Sequence, residues 1–128
     1  MPAAFDDESS EYSDSIFESL AGDAEALTPA IWASEVTNAL RVAEIRGRIT
    51  AADANNFLLD LETYPVDIVP QSLDDVRQEV LGISRQTGLT VYDASYLFLA
   101  VASGAPIASE DERMLSAAQA LGVDRFLP

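Results

Sequence analysis

The chain of 128 residues contains no cysteine, no histidine and no lysine. Each absence removes a chemistry. Without cysteine there is no disulfide, no thiolate metal site and no Cys nucleophile. Without histidine the commonest general base is gone, and with it imidazole zinc sites and the Ser-His-Asp arrangement. Without lysine, neither a Schiff-base nor a P-loop mechanism is available. No apolar run is long enough to span a bilayer. The opening "MPAAFDDESSEYSD" has neither the basic nor the apolar region of a secretory signal. The expectation is a cytoplasmic protein with no membrane association, and a cysteine-free chain is compatible with that reducing compartment. Basic charge is also scarce: all 7 basic residues are arginine, against 22 acidic ones.

What is present follows from that imbalance. The formal net charge is -15. Such acidity argues against sequence-independent phosphate binding and favours a basic partner, or simply solubility. The groups left for chemistry are carboxylate, hydroxyl and guanidinium. Carboxylates are ligands for hard cations such as Mg²⁺ or Mn²⁺. The length fits one domain, residues 1–128, with a single core.

Hydrophobic spacing predicts helices over "SEYSDSIFESLAGD", "AIWASEVTNALRVAEIRGR", "TAADANNFLLDLETYP", "SLDDVRQEVLGISRQTG", "LTVYDASYLFLAVASG" and "SEDERMLSAAQALG". Thr50 with Asp53 reads as a capping box, and Ser72 with Asp75 caps the fourth helix, which turns Leu73, Val76, Val80 and Ile83 inward. Gly47 and Gly88 are helix stops. Short extended segments, "EALTPA", "VDIVP", "APIAS" and "VDRFLP", fall between helices. Alternating helices and short strands indicate an α/β fold with a mostly parallel sheet, in which sites form at the C-terminal ends of the strands.

Three carboxylates stand out against this pattern. Asp93, three residues after Thr90, reads as a capping-box acid at a helix head. It also shares a helical line with Leu97 and Ala100, and a carboxylate turned toward a core needs a partner. Asp111 follows a strand end. Ser109 and Glu112 form an S-x-x-E capping box of their own, which leaves Asp111 without a structural task. Glu35 lies mid-helix on the line Ile31, Ala39, Val42, an apolar face, with Asn38 nearby. Each is a surface or capping acid taken alone. Taken together they form a constellation whose charge a shared cation would make tolerable.

Two segments carry a family resemblance. "PAIWASEVTNAL" and "GLTVYDASYLFLAVASGAPIASEDERML", followed by "AAQALGVDRF", resemble PIN domains of the VapC toxin type across nearly the whole chain. The resemblance implies a three-layer α/β/α fold and a metal-dependent ribonuclease. Acidic residues would hold Mg²⁺ or Mn²⁺ while water attacks an RNA phosphodiester. By motif, Glu35 matches the second acidic position, Asp93 the third and Asp111 the fourth, with Asn38 and Ser109 in supporting places. The family's opening strand, which carries the first catalytic Asp, has no counterpart. "AAFDDE" matches the end of the helix after it, and Asp6 and Asp7 fall in a loop. The first central strand is therefore expected to be missing.

The function expected is an endoribonuclease toxin of a type II toxin–antitoxin system, with an antitoxin protein as partner, RNA as substrate and a homodimer as its assembly. The alternative is a catalytically degenerate relative that only binds an antitoxin. A receiver-type phosphoacceptor domain also clusters acids at strand ends, but it relies on a lysine that this chain lacks.

Overall fold

The structure, a computed structural model, describes residues 11–128. The chain divides into two compact units, one ending at Ile68 and the other running Val69–Pro128.

In the first unit, α1 (Glu11–Ala21) opens with Glu11 and Asp14 in its first turn, where the helix dipole favours negative charge. Its Leu20 is buried, and its Phe17 ring meets Tyr64 edge-on at 5.4 Å. Strand β1 (Ala26–Pro29) leads into α2 (Ile31–Ile45), then α3 (Ala51–Leu61) and β2 (Val66–Val69). β1 and β2 pair as a short parallel sheet. Parallel strands need a long crossover, and the two helices supply it. α2 buries Trp32, Val36, Leu40 and Ala43 in one stripe, and packs against α3 and β1. Gly47 follows it at φ 72, a left-handed conformation that costs glycine nothing. α3 begins with the expected box: Thr50 Oγ1 accepts the Asp53 N–H, and an Asp53 carboxylate oxygen accepts the Thr50 N–H. Thr28 Oγ1 and Trp32 Nε1 are buried at the β1–α2 turn without a hydrogen-bond partner among the described residues, a local cost in an otherwise apolar corner.

In the second unit, α4 (Leu73–Asp75) passes through a π-helical segment (Val76–Val80) into α5 (Leu81–Thr87). α6 (Val91–Ser103) and α7 (Glu112–Ala120) follow. Leu89, Leu97, Ile107, Met114, Ala117 and Ala118 form the core, with Ile83, Tyr96 and Leu115 packed around it. The wide π turn, closed by Leu81 N–H on the Val76 carbonyl, rotates the faces before and after it. Val80 is fully buried, whereas Leu73, expected to face inward, is 83% exposed at the helix tip.

The mixed α/β class holds: the described residues are helix-rich with a short parallel sheet. Two expected strands are reduced. "APIAS" and "VDRFLP" meet only in one parallel bridge, Ile107 with Arg125, through the Ile107 N–H on Asp124 O and the Phe126 N–H on Ile107 O, both 2.8 Å. Pro106 has no N–H to donate and Gly104 lies two residues before it, so little of the first segment can extend a ladder. The expected loss of an opening strand concerns residues 1–10, outside the described residues, as do Asp6 and Asp7. No helix among the described residues is long and apolar enough to cross a membrane.

Candidate functional site

α6 is the most apolar helix of the second unit, and its head carries Asp93. Thr90 adopts extended φ/ψ and its Oγ1 accepts the Asp93 N–H at 3.1 Å, so the threonine half of the expected capping box is present. The return bond is absent. Whereas Asp53 accepts from its own cap residue at 3.0 Å, the Asp93 carboxylate has no hydrogen-bond partner among the described residues. It is half-buried, one turn ahead of the fully buried Leu97. At a helix head the dipole favours its negative charge, and a bound cation would favour it further.

The head of α7 differs from expectation. Asp111 itself is the N-cap: its Oδ1 accepts the N–H groups of Arg113 at 2.8 Å and Met114 at 3.3 Å. The Ser109–Glu112 box does not form. Instead Ser109 Oγ accepts the Asp111 N–H at 3.0 Å, a short turn that presents the aspartate to the helix. Aspartate is among the strongest N-cap residues because its short side chain reaches the second and third amides, and here it outcompetes the serine two residues earlier. Asp111 therefore does have a structural task. The task engages Oδ1 alone.

Glu35 is exposed, which corrects its placement on an inner face. The buried stripe of α2 runs along Trp32, Val36, Leu40 and Ala43, and at 3.6 residues per turn Glu35 lies roughly a quarter-turn to its side. Ile31, Ala39 and Val42, the line expected to be apolar and buried, are its half-buried flank. Asn38, one turn on from Glu35, is also exposed. Glu35 and Asn38 thus belong to the first unit, and Asp93, Ser109 and Asp111 to the second. Within neither unit, among the described residues, do three acidic side chains gather into a group able to hold a metal ion.

Two arginines that no sequence pattern singled out secure the second-unit loops. Arg113 Nη2 donates to the Gly88 carbonyl at 3.2 Å, and Arg125 Nε donates to the Ser109 carbonyl at 3.1 Å. Their acceptors lie 25 and 16 residues away, beyond the reach of any local spacing rule.

The carboxyls held below the ordinary range lie elsewhere. Asp53 is lowered by the Thr50 backbone N–H and then the Thr50 hydroxyl, and Asp74 by Gln78 and then Arg77. Both shifts belong to helix starts. An open groove of about 760 Å³ lies at the opposite end of α6, between Gly104–Pro106 and Leu121–Leu127, and none of the candidate acids lines it.

A model of the PIN domain matches residues 3–120, nearly the whole chain. No curated protein matches it.

Proposed function

The chain belongs to the PIN-domain family, whose members are in general divalent-metal-dependent nucleases, and from that premise we propose that it is a Mg²⁺- or Mn²⁺-dependent endoribonuclease. The observation that carries this reading is Asp93: a half-buried carboxylate without a hydrogen-bond partner among the described residues, at the head of a buried helix. The donor chemistry fits the cation. Hard divalent ions take carboxylate oxygens, and Asp93 offers both of its own while Asp111 keeps Oδ2 outside its cap bonds. The motif also gives Glu35 the part of a metal ligand, with Asn38 one turn on in the same helix.

A divalent cation bound there supplies Lewis acidity, activating water and offsetting charge on the phosphate. The chain's own part is to hold and orient. Asp93 and Asp111 are fixed by two helix starts, which are rigid mounts for ligands. Ser109 fixes the Asp111 backbone through its hydroxyl. With no histidine or lysine in the chain, carboxylates are the groups able to take up the proton released as water attacks.

We place the enzyme in a type II toxin–antitoxin system, as a cytoplasmic homodimer held in check by a basic antitoxin. The net charge of -15 suits such a partner. Asp93→Asn is expected to abolish metal-dependent RNA cleavage; cleavage that survives this change, or that persists in chelator, overturns the assignment. A second reading, a relative that binds an antitoxin without cutting RNA, is favoured by the commitment of Asp111 Oδ1 to its helix cap. Tight antitoxin binding with no cleavage in Mg²⁺ or Mn²⁺ would select it.

A further inference from the structure

The open groove at the far end of α6 is lined by residues of the second unit alone. Two helices end on it. Gly104, the C-cap of α6, and Leu121, the C-cap of α7, both line it. A helix C-terminus carries the negative end of the helix dipole, which favours cations. Neither helix answers that end with its own side chains, for the last turns of α6 and α7 hold no basic residue. Asp124, exposed on the wall of the groove, adds a full negative charge. Arg125 also lines it, and its Nε is engaged by the Ser109 carbonyl at 3.1 Å.

Much of the remaining wall is apolar. Val101 and Leu127 are large hydrophobic side chains left exposed, and Pro106 and Val123 line the groove with them. Its volume, about 760 Å³, falls within the range of binding pockets, roughly 300–1,000 Å³. This combination selects an occupant. A polyanion such as RNA is repelled by the acid and by both helix ends. A purely apolar group leaves those ends and Asp124 unanswered. Lysine or arginine answers both, since its aliphatic stem packs on apolar surface while its charged head stays with polar groups.

We propose that this groove is a docking surface for a segment of a partner protein in which basic residues alternate with apolar ones. The cationic heads face the α6 and α7 ends and Asp124, and the apolar side chains cover Val101 and Leu127. The inference deepens the reading of a basic antitoxin, and rests on it, by giving that partner a place at the opposite end of α6 from Asp93. It requires neither metal nor RNA.

The experiment is fluorescence anisotropy of a labelled synthetic peptide of alternating arginine and valine, titrated with the full chain without added metal, with a urea melt on each variant. Wild type is expected to bind it. Asp124→Asn removes the local charge, and Val101→Lys sets a cation in the last turn of α6 in place of apolar wall. Each is expected to weaken binding by about fivefold, the upper end for an exposed charge pair, with the urea midpoint near wild type. Glu79→Gln changes the net charge by the same amount on the exposed π segment, outside the groove, and is expected to bind as wild type does. If Glu79→Gln weakens binding as much as the groove variants, or the groove variants bind as wild type does, the field of the whole chain holds the peptide. The groove is then overturned and the reading of a basic partner stands. If wild type does not bind the peptide, both fall together. If it does not bind and sediments as a dimer that Val101→Lys dissolves, a second copy occupies the groove in place of the proposed segment.

Discussion

At the scale of the residue, Asp111 has one task in the structure and a second in the proposed site, and chemistry can separate them. Its Oδ1 caps α7 through the Arg113 and Met114 amides, and a ligand role would draw on the carboxylate's charge and Oδ2. Asparagine keeps a capping oxygen but loses the charge. Asp111→Asn should therefore leave the urea midpoint near wild type and depress Mn²⁺ affinity and RNA cleavage. Asp111→Ala should lose both, with a stability cost of about 1 kcal/mol. Equal midpoints for the two variants would show that the cap contributes nothing. Asp53 supplies a different test, through pH. Its folded carboxyl is held below the ordinary 3.8, first by the Thr50 backbone N–H. A depressed folded value means that the contribution is fully present above the unfolded value and is lost as pH falls through the folded one. The stability gap between wild type and Asp53→Asn should thus be widest above pH 3.8 and close on acidification, as read from thermal melts across pH. Asp93 and Asp53 have the same T-x-x-D spacing, and the sequence alone makes them equivalent. The structure separates them, because only Asp53 accepts the return bond.

At the scale of the element, the helices and the strands β1 and β2 were legible, and the reduction of the two later strands to one bridge was not. Six helical segments follow from apolar spacing and from caps such as Thr50, Ser72, Thr90, Gly47 and Gly88, all of which are local signals. The π segment at Val76–Val80 left no such mark. Its wide turn separates the exposed Leu73 from the face shared by Val80 and Ile83. The bridge between Ile107 and Arg125 is short for a similar reason, since a ladder needs two extended segments and each here is only a few residues long. The α5–α6 turn gives a prediction at this scale. Gly88 is left-handed, and a Cβ added there would meet no atom within 4 Å. Gly88→Ala is therefore a test of backbone strain alone. It should lower stability by about 1–2 kcal/mol in a urea melt. A neutral result would mean that the turn relaxes, and with it the acceptor that Arg113 uses.

At the scale of the whole molecule, charge is the dominant property. A net charge of -15 over 128 residues gives a field that draws cations and cationic surfaces and repels nucleic acid. An antitoxin with a basic segment should associate quickly at low ionic strength and markedly more slowly as salt rises, because salt shortens the reach of the field. Stopped-flow association across a salt series reads this directly. A rate indifferent to salt would remove charge as the basis of partner choice.

The sequence by itself determined the helices, their caps, the excess of acid, and the exclusion of every mechanism that needs histidine, lysine or cysteine. These are decided by composition or by neighbours within one helical turn. It also determined the family, because the match runs along residues 3–120. Only the tertiary structure decided what each carboxylate is bonded to. It left Asp93 without a hydrogen-bond partner among the described residues, made Asp111 a cap, moved Glu35 to the exposed side of its helix, and tied Arg113 to a carbonyl 25 residues away. The exposure of Glu35 and the reach of Arg113 depend on packing between distant segments, of which local spacing carries no record.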